Sequence, residues 1–381
     1  MKHAAKIATT LLILALLEGC STWNPFSSDK VKPAPLVQFS PDLTVAKSWS
    51  VDVGKSESGV FSPVAYNGMV YAASAEGWFF AVDKNTGAVR WKVKGDSKLK
   101  AGVAVTVDTV AAVDVNNNVV AFDFNGKQKW KVALGTEVHS MPVGASGVLF
   151  LRSIDYSVMA LSADNGLPRW KYTRPLPPLT LRTNSSVDVK NGRVFAGFPG
   201  GRLVGLDLNN GQLVWEGVLS APKGTTEIER IADITGSPIY NFREVCAAAF
   251  QGKVGCLDTS NGRALWSTDF SSPNGASVDD RYLIASDESG DLFAFSRSGG
   301  KQVWRISNFE QRQPTAPLVQ GRAVVIGDFE GYVHFIDRDT GKTIARTQIG
   351  AYPFTHQPQA ADGNQVLLQS RKGQMALITI Q

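Results

Sequence analysis

The segment AVDKNTGAVRW, residues 81–91, recurs along the chain with most of its Asp, turn glycine and Trp positions kept. The further copies are AFDFNGKQKW at 121–130, ALSADNGLPRW at 160–170, GLDLNNGQLVW at 205–215, CLDTSNGRALW at 256–266, AFSRSGGKQVW at 294–304 and FIDRDTGKTIA at 335–345. Seven copies at intervals of about 40 residues indicate that one structural unit is repeated. Units of this length with four short strands are typical of β-propeller blades.

An eighth unit is divided between the two ends of the repeat region. KSWSVDVG around Trp49 matches the part that follows the turn, and ALITIQ at 376–381 matches the part that precedes it. Pairing the two would close the ring and remove its free sheet edges. The sequence therefore predicts an all-β fold over residues 43–381: an eight-bladed β-propeller with PQQ-like repeats, whose N-terminal strand closes the last blade.

The repeated Asp and Trp residues have structural explanations. The Asp residues stand at positions 83, 123, 207, 258 and 337. Because Asn and Gly positions follow them, we expect each carboxylate to accept hydrogen bonds from backbone N–H groups just ahead of it in a tight turn. We expect each Trp ring to pack between neighbouring blades with its N–H on a carbonyl.

The first residues have the features of a secretory signal. Lys2 and Lys6 precede an apolar stretch at 7–17, and the small Gly19 precedes Cys20. The apolar stretch is shorter than the roughly 20 residues that a membrane-spanning helix needs. An ordinary signal peptide with an unrelated cysteine is the alternative to a lipoprotein signal.

Leu17-Glu18-Gly19-Cys20 resembles the bacterial lipobox, which is cut before a lipidated cysteine. The resemblance implies a signal peptide at 1–19 and acyl chains on Cys20. Ser21 in place of Asp favours the outer membrane, whereas Glu18 departs from the usual residue and leaves the efficiency of processing open. Residues 20–42 then form a flexible tether rich in Pro and Ser.

Composition narrows the function classes. The formal net charge is +5 and charged residues make up 19% of the chain, without a run of like charges that would favour nucleic acid. The histidines have no metal-ligand spacing, and no catalytic motif is evident, so we expect no enzyme activity, cofactor or metal. Cys246 and Cys256 flank one hairpin and form either a disulfide or two buried thiols.

Function is expected where the repeat is interrupted. Two connections between blades are longer than the others, at 173–186 and 223–237, and they emerge on the same face because both lead from the last strand of one blade to the first strand of the next. The first is rich in Pro and Leu, and the second places Arg230 and carboxylates around Ile228 and Ile231. Exposed aliphatic side chains with a charged rim are typical of a protein-binding surface.

The lipobox, the Ser/Pro tether, the eight repeats and PPLTLRTNSS at 177–186 together resemble the BamB family of outer-membrane assembly lipoproteins. That resemblance implies binding to the POTRA domains of BamA in the BAM complex. It assigns partner contact to Leu179, Leu181, Arg182 and Asp233, with Arg230 beside them. The family commonly has a second Asp where this chain has Thr235.

The resemblance implies a non-enzymatic scaffold, lipid-anchored on the periplasmic side of the outer membrane, that assists folding and insertion of outer membrane proteins. Direct binding of unfolded precursors is left open. The alternative is a periplasmic PQQ-dependent dehydrogenase, since those enzymes share the blade repeat. They typically need a calcium site and often a vicinal cysteine pair, and this chain has no adjacent cysteines.

Overall fold

The structure, a computed structural model, describes residues 32–56 and 59–381. The predicted signal peptide and Cys20 therefore lie outside the described residues. Within these two ranges every regular element is a β-strand. The described residues therefore contain no helix that could cross a membrane.

Eight sheets follow one another along the chain, each with four antiparallel strands, A to D. Blades 1 and 2 contain β3 (Val64–Tyr66), β4 (Met69–Ala73), β5 (Trp78–Asp83) and β6 (Val89–Lys94), then β7 (Leu99–Thr106), β8 (Thr109–Asp114), β9 (Asn118–Phe122) and β10 (Gln128–Ala133). Blades 3 and 4 contain β11 (Val143–Ala145), β12 (Val148–Arg152), β13 (Val158–Ser162) and β14 (Pro168–Tyr172), then β15 (Val187–Lys190), β16 (Arg193–Phe198), β17 (Arg202–Asp207) and β18 (Leu213–Val218).

Blades 5 and 6 contain β19 (Ile239–Asn241), β20 (Glu244–Ala248), β21 (Lys253–Asp258) and β22 (Ala264–Asp269), then β23 (Ala276–Val278), β24 (Tyr282–Ser286), β25 (Leu292–Ser296) and β26 (Gln302–Ile306). Blades 7 and 8 contain β27 (Leu318–Gln320), β28 (Ala323–Gly327), β29 (Tyr332–Asp337) and β30 (Thr343–Gln348), then β31 (Gln359–Asp362), β32 (Gln365–Gln369), β33 (Gln374–Ile380) and β1 (Val45–Asp52). A short strand, β2 (Val60–Phe61), pairs in parallel with β7 and gives blade 2 a fifth strand.

The eight A strands form a closed cycle, in which each contacts the A strand of the next blade and β31 contacts β3. Closure is completed in blade 8, where β1 pairs antiparallel with β33 from Val45 opposite Ile380 to Asp52 opposite Gln374. The predicted eight-bladed propeller and its closing N-terminal strand are confirmed. The core is divided into eight clusters, one between each pair of adjacent blades.

The repeated residues form the turn between strands C and D and also contact the neighbouring blade. The predicted turn role of the Asp residues is confirmed, because each accepts hydrogen bonds from backbone N–H groups two to four residues ahead. The turn glycine lies on the Trp of the preceding blade: a Cβ on Gly262 would stand 2.6 Å from the Trp215 ring, and the backbone there has φ of +72°. Only glycine fits such a position without strain.

The Trp side chains link the blades by hydrogen bonds as well. Six of them donate their ring N–H to a carbonyl of the next blade at 2.7–3.0 Å: Trp49, Trp91, Trp130, Trp170, Trp215 and Trp304. Trp266 is similarly buried, but its ring N–H has no hydrogen-bond partner among the residues that the structure describes. The predicted Trp role therefore holds for all but one of the seven.

This exception gives a matched pair of substitutions. Trp215→Phe removes a buried hydrogen bond to the Thr259 carbonyl, whereas Trp266→Phe removes an N–H group that has no partner. A buried hydrogen bond contributes about 1 kcal/mol, so Trp215→Phe should lower the free energy of unfolding by roughly that much more than Trp266→Phe. Urea unfolding of both variants measures the difference, and equal losses would contradict the role of the hydrogen bond.

Of the two alternatives for the cysteines, the structure has the disulfide. Cys246 on β20 and Cys256 on β21 are directly opposite in the strand register, and a bond joins their sulfurs. Both side chains are fully buried between blades 5 and 6. The bond fastens the two central strands of blade 5 to each other.

Residues 34–42, here called the strap, are attached to the connection between blades 6 and 7 and to β30, the outer strand of blade 7. The Ala34 amide bonds to the Glu310 carbonyl at 2.9 Å, and the Asp42 amide bonds to the Ile344 carbonyl at 3.0 Å. Arg346 donates to the Val37 carbonyl at 2.8 Å. The compact unit of the chain accordingly begins at Ala34. The flexible tether predicted for residues 20–42 therefore does not extend to residue 42, and its last nine residues belong to the propeller.

Candidate partner-binding surface

The two long connections lie side by side on one face of the ring. Residues 173–186 lead from β14 to β15, and residues 219–238 lead from β18 to β19, so both join a D strand to the next A strand. Together they line a cavity of about 410 Å³, with Leu176 and Leu179 on one side and Arg230 on the other. We refer to the exposed parts of both connections as the composite surface.

Hydrogen bonds fasten the two connections to each other. The Leu181 amide donates to Asp233 at 2.7 Å, the Ser185 hydroxyl donates to the Gly236 carbonyl at 2.9 Å, and the Ser186 amide donates to the Ser237 hydroxyl at 3.0 Å. These bonds run in the same order along both connections. The composite surface is therefore one structural unit.

The aliphatic side chains of the composite surface differ in exposure. Leu179 is 42% exposed and Ile228 is 66% exposed, while Leu176 is 37% exposed. Leu181 is half-buried. Ile231 is only 9% exposed, so the expectation that both isoleucines face solvent is wrong for Ile231, which packs inward at the end of its turn.

Arginine side chains supply the charge. Arg182 is exposed and lines a second cavity, of about 440 Å³, whose other walls include residues that precede the A strands of six blades. This position places Arg182 at the mouth of the central channel. Arg230 is exposed on the second connection. Within the described ranges neither Arg182 nor Arg230 forms an ion pair, and Arg182 lies near the Glu137 carboxylate without pairing with it. Both guanidinium groups can therefore bind a carboxylate of a partner.

Asp233 does not face a partner. Its side chain is 1% exposed, and its two carboxylate oxygens accept from the Leu181 amide at 2.7 Å and the Gly200 amide at 3.0 Å. Burial raises the pKa of the carboxyl, against the two amides and the charge of Arg152, which lower it. The direct contact predicted for Asp233 is therefore replaced by a role in holding Leu181. Thr235 is buried too and donates to the Ser272 carbonyl at 2.8 Å.

Two residues beneath the first connection were not predicted. Arg152, at the end of β12, donates to Ser185 at 3.0 Å and to the Gly197 carbonyl. Burial lowers the pKa of Arg152 to about 10. Tyr156 lies in the next turn, with its ring centroid 4.7 Å from the Arg152 guanidinium carbon, and its hydroxyl donates to the Leu181 carbonyl.

Neither residue could be found from the repeat, which marks strand C and its turn. Arg152 ends strand B of blade 3, and Tyr156 lies in the turn before strand C, whose residues differ from blade to blade. A buried Arg directly after an apolar strand segment gives no distinctive signal on its own. Their role follows from contacts with a connection about thirty residues further along the chain.

The three histidines that the structure describes do not form a site. His139 pairs with Glu137, His334 is buried against Asp328, and His356 lies within 3.4 Å of a backbone carbonyl. Among the described residues the one group with metal-ligand geometry includes both disulfide-bonded cysteines, which have no thiolate to offer.

The chain is similar to known proteins in both sequence and structure. A family model described as outer membrane protein assembly factor BamB matches residues 75–306. The BamB proteins of Bordetella pertussis and Burkholderia pseudomallei are each 36% identical to this chain, over 97% and 98% of its length and 96% and 97% of theirs. The crystal structure of BamB from Moraxella catarrhalis superposes with a TM-score of 0.79 at 21% identity, covering 88% of this chain and all of that one.

Quinohemoprotein alcohol dehydrogenase from Comamonas testosteroni also superposes, with a TM-score of 0.68 at 14% identity, over 88% of this chain and 76% of the enzyme. That likeness concerns the fold alone, because the identity is low and many functions share one architecture. The dehydrogenase alternative is therefore not favoured. On its family model and its nearly full-length similarity to curated relatives, the chain belongs to the BamB family of outer membrane protein assembly factors.

Proposed function

We propose that this protein is a non-enzymatic scaffold of the outer-membrane β-barrel assembly machinery, and that its composite surface binds the POTRA domains of BamA. The observation that carries the proposal is the exposure of Leu179 and Arg182 on a connection that hydrogen bonds hold to its neighbour. The names of the chain's relatives support the machinery, and the family resemblance of residues 177–186 supports the partner.

The chemistry of the surface suits a protein partner. Leu176 and Leu179 supply apolar area at the edge of one cavity, and Ile228 supplies more on the second connection. Arg182 and Arg230 supply guanidinium groups that form no ion pair among the described residues. Interfaces obtain most of their binding energy from a few such buried anchors, with arginine over-represented among them. Leu181, half-buried, contributes an edge contact. We expect the partner segment to present an apolar side chain next to a carboxylate.

The proposal also includes the location of the protein in the cell. Cys20 would carry the lipid that attaches the protein to the periplasmic side of the outer membrane, and more than one acyl chain is needed for stable attachment. The rigid ring would then hold the composite surface where BamA can reach it. Unfolded precursors are a further candidate partner of the assembled complex.

Capture of purified BamA POTRA domains by the full chain tests the proposal. Wild type should retain them, whereas Leu179→Ala and Arg182→Glu should each weaken binding by about tenfold or more, the effect typical of an interface anchor. Leu167→Ala is the control, because Leu167 is 61% exposed in the C–D turn of blade 3, on the opposite face.

Two results would count against the proposal in different ways. Wild type that fails to retain the POTRA domains removes the partner assignment. Folded Leu179→Ala and Arg182→Glu variants that bind as well as the Leu167→Ala control remove the composite surface as the binding site.

A further inference from the structure

We propose that Tyr156 is a positioning residue for the composite surface, and that Tyr156 and Asp233 together hold the Leu181 backbone in the form that a partner recognises. The inference rests on the proposed function, since it concerns how the same surface is prepared for binding. It assigns a role to a buried tyrosine of blade 3, whereas Asp233 lies in the connection between blades 4 and 5.

The first step of the argument is that Leu181 is held at both of its backbone polar groups. Its N–H donates to the Asp233 carboxylate at 2.7 Å, and its C=O accepts from the Tyr156 hydroxyl. The Tyr156 hydroxyl also lies beside the side chains of Thr180 and Thr183. One residue of the connection is therefore fixed from two sides.

The second step is that both holding groups are themselves fixed. The second Asp233 oxygen accepts from the Gly200 amide at 3.0 Å. The Tyr156 ring is 5% exposed and packs on the guanidinium of Arg152, which in turn donates to Ser185 at 3.0 Å. Neither Tyr156 nor Asp233 has room to change rotamer without breaking a buried hydrogen bond.

The third step is that few other contacts hold the middle of this stretch, because the ion pair of Arg174 with Glu216 at 3.1 Å lies at its beginning. Residues 173–184 contain no strand, and in the part of the chain that the structure describes they make no hydrogen bond from backbone to backbone. Leu179 and Arg182 flank Leu181 closely enough that its orientation determines where both side chains project. A loop that is ordered before binding has less conformational entropy to lose, and its affinity is higher for that reason.

Tyr156→Phe tests this inference because it removes only the hydroxyl and leaves a ring to pack on Arg152. Tyr172→Phe is the matched control. Both tyrosine rings contact Phe198, but the Tyr172 hydroxyl has no hydrogen bond among the described residues. We expect Tyr156→Phe to raise the Kd for the POTRA domains about fivefold, the equivalent of one hydrogen bond, and Tyr172→Phe to leave it unchanged.

Hydrogen exchange at the backbone amides of Leu181 and Arg182 gives a second readout in the unbound full chain. Faster exchange there in Tyr156→Phe, with an unchanged urea midpoint, would separate positioning from a general loss of stability. If wild type binds, an unchanged Kd in Tyr156→Phe would overturn the inference, whatever the exchange rate, and leave the proposed function standing.

The two proposals can fail separately. If wild type does not bind the POTRA domains, the proposed function fails, and the exchange experiment alone then decides whether Tyr156 orders the loop. If wild type binds and Leu179→Ala does not, but Tyr156→Phe binds with the wild-type Kd, the surface is correct and Tyr156 has no positioning role.

Discussion

Removal of residues 374–381 is expected to abolish the cooperative native state. These residues supply β33, which lies between β32 and β1, so its loss leaves the N-terminal strand without a partner and opens the ring. Open sheet edges would also promote aggregation. The truncated protein should show no sharp thermal transition by circular dichroism and should elute as aggregates in size-exclusion chromatography.

The size of the effect follows from burial. Met375, Leu377 and Ile378 are fully buried, and β33 contributes to the cores on both sides of blade 8. Burial of each large apolar side chain contributes about 1.5–3 kcal/mol. The truncation loses the burial of these three side chains and two strand pairings. The combined loss is comparable with the whole free energy of unfolding of a typical domain, about 5–15 kcal/mol.

Deletion of residues 32–41 is the matched control at the other end of the chain. It removes strap contacts, including the Val37 carbonyl that Arg346 binds, but no blade strand. We expect it to lower the melting temperature by a few degrees and to leave a closed ring. A C-terminal truncation that melts as sharply as this control would contradict ring closure as the source of stability.

The fold could be predicted because the repeat is local. Each Asp turn and each Trp lies within one unit, so the same signal recurs seven times, and the turn glycine and the Trp of the preceding blade fix how units meet. Strand A follows a local signal as well, since β11, β19 and β27 begin directly after Met141-Pro142, Ser237-Pro238 and Ala316-Pro317. Trp266 has the motif but lacks the hydrogen bond, and the sequence of the motif does not show this difference.

The candidate surface could be predicted only in part. Two over-long connections on one face were visible as breaks in the repeat, and Leu179 and Arg182 are exposed as expected. The burial of Asp233 was not visible, because its carboxylate is bound by amides 52 and 33 residues away. The strap was missed for the same reason: its bonds to Arg312 and Arg346 span 278 and 309 residues.

Asp233→Ala is expected to destabilise the protein by about 3–5 kcal/mol, although Asp233 is remote from the ring closure. The change leaves the Leu181 and Gly200 amides without acceptors and removes the negative charge that attracts the buried Arg152. A buried N–H group left without an acceptor typically costs about 1–3 kcal/mol, so the two amides account for most of an effect of this size. Glu227→Ala, an exposed carboxylate on the same connection, should change stability by less than about 0.5 kcal/mol.

The pH dependence of Asp233→Asn adds a test with a definite sign. Burial raises the folded-state pKa of Asp233 above its ordinary value of 3.8, so between the two values the native state binds more protons than the unfolded state. The contribution of Asp233 to stability therefore falls as the pH rises through its folded-state pKa. Because Asn does not titrate, the stability deficit of Asp233→Asn in urea unfolding should be larger at pH 4 than at pH 7. A deficit that grows with pH would show instead that amide and Arg152 contacts outweigh burial at this carboxylate.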